Sequence, residues 1–189
     1  MSESAAGPLA PEALELVRPQ CEKGIGAVIV APDSPSLIAG VRLQPLHIWP
    51  DDRGYFLEVL RMGQQLAAAY PAASTQVSAS LSHPGAIKAF HYHRDQTDIW
   101  TVVLGMMQVA LVDLRKNSPT WGARNTLYLG ELRPWQLLIP PGVAHGYKTV
   151  GSGPCLLIYV TDRFYNPNDE GRIPYNDPGI NYDWETQRK

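Results

Sequence analysis

His91-Tyr92-His93 sets two imidazoles two residues apart inside a β-prone run. A strand repeats every two residues, so His91 and His93 point to one face while Phe90 and Tyr92 point to the other. Whatever pocket that face lines then holds both imidazoles. An imidazole titrates near neutral pH and also ligates metals, so the pair offers proton transfer or metal binding. The plain alternative is two partly exposed histidines with no common task, and the motif alone does not decide between them.

The elements that must position this pair are strands. Between Thr75 and Thr161 the β-prone runs Thr75–Ser82, Ile87–His93, Ile99–Leu104, Met106–Leu114, Asn125–Leu129, Gln136–Ile139, His145–Thr149 and Leu156–Tyr159 are separated by turn residues. That spacing predicts a sandwich or barrel. Gly105 leaves almost no chain between two runs, and Pro140-Pro141-Gly142 stops another abruptly. Ahead of the strands, a helix is expected across Gly63–Tyr70, ended by Pro71, and a short one through Glu12–Val17, opened by Pro11. Residues 1–37 are expected to form an N-terminal extension and residues 38–189 one domain. The stretch Tyr165–Trp184, rich in Asn, Pro, Asp and Tyr, is expected to be loop wrapped around the barrel.

Bulk composition narrows the function. A chain of 189 residues can bury a single core without disulfides. The 17 prolines and 16 glycines imply many reversals, as a β-rich fold needs. A formal net charge of −2 gives no whole-protein field toward nucleic acid or an acidic membrane surface, so small-molecule partners are expected. Cys21 and Cys155 have no paired spacing, which argues against a disulfide framework or a cysteine-built metal site. The N-terminal stretch has no basic segment followed by an apolar one, and no run approaches a membrane span. The sequence therefore reads as cytoplasmic, with no membrane partner.

Two resemblances give the pair a context. Gly85, five residues, His91-Tyr92-His93, four residues, Asp98, six residues and Gly105 resemble the first motif of the cupin superfamily, with Asp for its usual Glu. Pro140-Pro141-Gly142-Val143-Ala144-His145 resembles the second, although Pro134 stands for the Gly at its start. The implied fold is an all-β cupin, or jelly-roll, barrel. The metal-binding cupins imply one candidate site, a divalent transition metal held by His91, His93, Asp98 and His145.

A closer resemblance, over about residues 38–184, is to the dTDP-4-dehydrorhamnose 3,5-epimerase family, itself cupin-fold and usually metal-free. Asp51-Asp52-Arg53-Gly54-Tyr55-Phe56-Leu57-Glu58 is similar to its D-x-R-G-x-F-x-E segment, and Gly85-Ala86-Ile87-Lys88-Ala89-Phe90-His91-Tyr92 to its G-V-L-R-G-L-H-Y. Val112-Asp113-Leu114-Arg115, Ile139-Pro140 through His145-Gly146-Tyr147, Tyr159 through Pro167, Glu170-Gly171 and Asn176-Asp177-Pro178 continue the match in order. The resemblance implies that Arg53, Phe56, Glu58, Gln76, Lys88, Tyr165 and Glu170 hold a nucleotide sugar. It implies His91 as base and Tyr159 as acid, with His145 beside them, no cofactor and a homodimer. Lys88 and His91 have opposite parity, so a bulge or a place at the barrel lip is needed for both to reach one pocket.

Epimerising a carbon next to a ketone takes a base for the α-proton, stabilisation of the enolate, and an acid on the opposite face. Two departures from the family bear on this. The sequence through Lys189 lacks the L-S-x-K-D-like stretch whose aspartate orients the base, and near Gln96-Thr97-Asp98 an acid stands where the family has a lysine. A metal held by Asp98 and the histidines would polarise the ketone in the lysine's place, but would occupy His91. The readings that follow are a metal-free sugar-nucleotide epimerase, a metal-dependent cupin oxygenase or isomerase, and a catalytically silent sugar-nucleotide binder.

Overall fold

A computed structural model describes residues 14–185. The strands are β1 (Ala27–Val28), β2 (Arg42–Pro45), β3 (Ile48–Asp51), β4 (Gly54–Leu57), β5 (Gln76–Ser82), β6 (Ile87–His93), β7 (Asp98–Leu104), β8 (Met106–Asp113), β9 (Arg124–Gly130), β10 (Trp135–Ile139), β11 (Val143–Val150), β12 (Cys155–Thr161) and β13 (Glu170–Arg172). They form a six-stranded sheet ordered β1-β9-β8-β11-β6-β13, a five-stranded sheet ordered β2-β10-β7-β12-β5, and the separate hairpin β3-β4. This is the all-β jelly roll that the sequence predicts.

Period-2 alternation places the core between the two large sheets. Val109, Leu111, Leu127 and Leu129 meet Trp100, Val102, Leu137, Ile139 and Leu157 there, all buried. The opposite faces are covered as well. Ala110, Val112 and Ala144 turn outward from the six-stranded sheet and are closed over by Ile173, Ile180, Tyr182 and Trp184. That second cover explains why β8 reads as an almost unbroken apolar run rather than an alternating one. The Tyr182 hydroxyl fixes the covering segment through Thr126 Oγ1 at 2.6 Å and Gln108 Nε2 at 3.0 Å. Gly105, between β7 and β8, has φ +72°, and a Cβ there would lie 2.4 Å from the Pro154 carbonyl oxygen. Glycine is therefore required at that bend.

Every run read as a strand between residues 75 and 161 is one, with ends moved by a residue or two. The local helices are corrected. Glu12 and Ala13 lie outside the described residues, and residues 14–17 are extended, with Leu16 bridging Arg115 and the Val17 N–H donating to Leu114 at 2.7 Å. The backbone just past the end of β8 offers those groups partners that a turn or two of isolated helix cannot match. Across residues 63–70 only the 3-10 turn Gln65–Ala67 forms. Leu66, Ala67 and Tyr70 sink onto Ile99, Leu138 and Val160 on the outer face of the five-stranded sheet, and that packing sets the local conformation. Within residues 14–37, β1 pairs parallel to β9 and Ile29 is fully buried in the core. The wrapping loop after residue 165 holds one strand, β13, laid antiparallel on β6. Among the described residues no helix is long and apolar enough to cross a membrane.

Candidate active site

β5, β6, β7, β11, β12 and β13 bring their inward side chains around a cavity of about 350 Å³. His91, His93, Asp98, His145 and Tyr159 all line it, as do Gln76, Lys88, Tyr165 and Glu170. Its size suits a small ligand. Lys88 and His91 share the cavity despite their parity because the β11–β6 pairing shifts register: His145 lies opposite His91, but Tyr147 lies opposite Lys88. The lysine ammonium donates to Ser80 Oγ at 2.7 Å.

His91 Nδ1 lies 2.6 Å from Glu170 Oε1. With the carboxylate as acceptor, Nδ1 carries the hydrogen and Nε2 keeps its lone pair. The Glu170 side chain is 8% exposed and that of His91 37% exposed. Arg172 Nε donates to the same Oε1 at 2.9 Å. Burial alone would push the Glu170 carboxyl up, but the Arg172 hydrogen bond and the His91 imidazole hold it below the ordinary carboxylate range. Glu170, expected among the nucleotide-holding residues, is therefore engaged with His91.

Deeper in the cavity, His93, Asp98 and His145 form a separate cluster. His145 Nδ1 donates to the Val143 carbonyl at 3.0 Å, which leaves Nε2 as its lone-pair nitrogen, 3.6 Å from Asp98 Oδ2. Asp98 accepts from Gln96 Nε2 at 2.7 Å and from Trp100 Nε1 at 3.3 Å. Burial pushes His145 down to about 4, lowers His93, and raises Asp98. All three are thus driven toward neutral forms. A carboxyl shifted toward its neutral form repels a developing enolate less than a freely ionised one, which lessens the second departure from the family.

One ligand atom from each of His93, Asp98 and His145 lies within 4.8 Å of the others. Buried His93 Nδ1 has no hydrogen-bond partner. Two imidazoles and a carboxyl group so disposed fit a divalent transition metal. Such an ion would be held by three side chains rather than the expected four, because His91 is turned to Glu170. It would polarise a ketone oxygen.

Arg53, Phe56 and Glu58 do not reach the cavity of their own chain. They sit on or next to the β3-β4 hairpin, where Arg53 is paired with Asp51 and its side chain is 83% exposed. Phe56 is 67% exposed and leans on Trp49 at 5.6 Å, and Glu58 pairs with Arg61 at 2.6 Å. Sequence reading missed Ser80, Gln96, Trp100, Tyr147 and Arg172 as cavity-lining residues. Parity could have found four of them, since Ser80 follows Gln76 by four and Trp100, Tyr147 and Arg172 follow Asp98, His145 and Glu170 by two.

A cupin-type jelly-roll barrel whose cavity holds a histidine bonded to a carboxylate, with a tyrosine beside it, has the parts that proton transfer requires. The sequence profile of the dTDP-4-dehydrorhamnose 3,5-epimerase family matches residues 35–189. The chain belongs to that family and is an isomerase of the epimerase class. It is 45% identical over 153 residues to a spore coat polysaccharide biosynthesis protein, SpsL, of Bacillus subtilis, covering 80% of this chain and 99% of the relative. A dTDP-4-dehydrorhamnose 3,5-epimerase of Methanothermobacter thermautotrophicus is 30% identical, over 79% of this chain and 80% of its own. The crystal structure of a dTDP sugar isomerase from Desulfovibrio desulfuricans superposes with a TM-score of 0.70 at 29% identity, covering 78% of this chain and 92% of that one.

Proposed function

We propose that the protein epimerises a dTDP-linked 4-keto-6-deoxyhexose at carbon next to the ketone. The observation that carries this reading is the His91–Glu170 pair, 2.6 Å apart, in the same cavity as Tyr159. His91 Nε2 removes the α-proton, and the bonding electrons move onto the ketone oxygen. Tyr159 returns a proton from the opposite face, so the centre inverts. Neutral His145, whose one N–H is spent on Val143, shapes the cavity floor rather than moving the proton. Each of these steps is carried by a side chain and needs no cofactor.

Lys88, Gln76 and Tyr165 hold the nucleotide part, with Lys88 as the positive charge for phosphate. Arg53, Phe56 and Glu58 serve the cavity of a second copy, in a homodimer whose hairpins reach across. The exposure of Phe56, Trp49 and Tyr55 on that hairpin supports this arrangement. In sedimentation equilibrium the protein is expected to be a dimer, and Arg53→Ala to raise KM about tenfold, or ~1.4 kcal/mol, with kcat held. A monomer of full activity would refute the shared site. Residues 38–189 are proposed as the cupin domain and residues 1–37 as an N-terminal extension, whose residues from 14 onward contact it. The free thiols of Cys21 and Cys155 support residence in the cytoplasm.

The reading is tested by incubating the protein with dTDP-4-keto-6-deoxyglucose and following the sugar by NMR. Inverted product at C3, C5 or both is expected. Thermal stabilisation by dTDP with no turnover would replace this reading with that of a silent binder.

A further inference from the structure

We infer that Glu170 is the positioning residue that orients the base in this chain, with Arg172 helping to hold its carboxylate in place. The inference rests on the reading of His91 as base and assigns the task that the family gives to an aspartate of a later stretch. Here the carboxylate comes from β13, an edge strand of the six-stranded sheet.

The register explains the contact. Glu170 lies opposite His93 and Arg172 opposite His91. Glu170 is therefore the diagonal neighbour of His91 on one sheet face, within reach of a long side chain. Two features hold β13 in that place. Asp169 accepts from the backbone N–H groups of Arg94 and Asp95, each at 2.9 Å, and of Gln96 at 3.1 Å, which ties the start of β13 to the end of β6. Gly171 lies directly over Tyr92, and a Cβ there would collide with the tyrosine ring. A side chain at 171 would lift β13 and draw Glu170 from the imidazole.

The chemistry follows from charge. When His91 takes a proton it becomes an imidazolium, and a carboxylate bonded to Nδ1 stabilises that form and fixes the tautomer that leaves Nε2 free. Glutamine at 170 could keep a hydrogen bond but not the charge. The charged or titratable groups around His91 are Glu170 and Arg172 on β13, His145 on β11, and Lys88 and His93 on β6. Of these only Glu170 is an anionic partner in direct contact, and Arg172 competes with His91 for its Oε1.

The experiment measures turnover of Glu170→Gln and Glu170→Asp against wild type, with dTDP-induced thermal stabilisation as the check on folding and binding. Glu170→Gln is expected to lower kcat by about 100-fold or more with KM within about threefold, and Glu170→Asp to recover part of the loss. A merely structural role would raise KM along with the fall in kcat and would show no such recovery. Glu170→Gln with kcat within about threefold of wild type, or Glu170→Asp no better than Glu170→Gln, would overturn the inference. A wild type that turns over beside an undiminished Glu170→Gln refutes this inference alone, whereas a folded wild type that inverts no sugar refutes the epimerase reading and this inference with it. Should Glu170→Gln lose its fold by thermal melting, Glu170→Asp carries the test: a fall in kcat of about tenfold with KM held is expected, and kcat equal to wild type would overturn the inference.

Discussion

Replacing His91 with asparagine is expected to slow removal of the α-proton by about 1,000-fold, within the range a positioned general base contributes. Nε2 is the lone-pair nitrogen of an imidazole whose other nitrogen is fixed 2.6 Å from Glu170, so the side chain is oriented before substrate arrives. No other imidazole in the cavity can substitute. His145 donates its Nδ1 hydrogen to Val143, and burial holds it down to about 4, making it a poor acceptor of a proton. His93 is lowered by burial as well. The side chain of His91 is 37% exposed, so asparagine removes little packing and the fold should survive. The check is the exchange rate at carbon next to the ketone, with dTDP-induced thermal stabilisation as the control for an intact site. A rate within tenfold of wild type would remove His91 from the role of base.

Tyr159→Phe is expected to separate exchange from inversion. Tyr159 faces inward from β12, opposite Ser78 on one side and Trp100 on the other, and packs against the main core. Phenylalanine preserves that packing and deletes only the acid. His91 can then still remove the proton and return one to the same face, so label continues to enter the substrate. Inversion, which needs delivery from the other face, should fall by about 100-fold or more. Product NMR together with label incorporation distinguishes the two rates. If both fell equally, or neither fell, Tyr159 would not be the acid.

The sequence revealed most where alternation was strong and least where an element exists only because another part of the chain pairs with it. Runs such as Ile87–His93 and Met106–Asp113 are long enough for period 2 to show. The strands before residue 60 span two to four residues, and β13 spans three, too few to establish a period. The short helices expected near residues 14 and 65 gave way to pairing with the chain just past β8 and to burial of Leu66 and Tyr70, contacts that local propensity does not contain.

The site followed the same division. Parity alone put His91 and His93 on one face, and motif order brought in His145, Tyr159 and Asp98. The partner of His91 was not legible, because Glu170 lies 79 residues away and reaches it only through the β13–β6 register. The same physics separates His91 from His93. Adjacent on one strand face, one meets a carboxylate near the lip and the other a buried cluster. The sequence left base and metal ligand as competing uses for His91; in the fold His91 faces Glu170, while His93, Asp98 and His145 gather in a separate cluster.

The most direct test is deuterium uptake. With dTDP-4-keto-6-deoxyglucose in deuterated water, wild-type protein should place deuterium at C3, C5 or both, and His91→Asn should abolish the uptake while still binding dTDP. A folded wild-type protein that binds dTDP and leaves those carbons unlabelled would contradict the account.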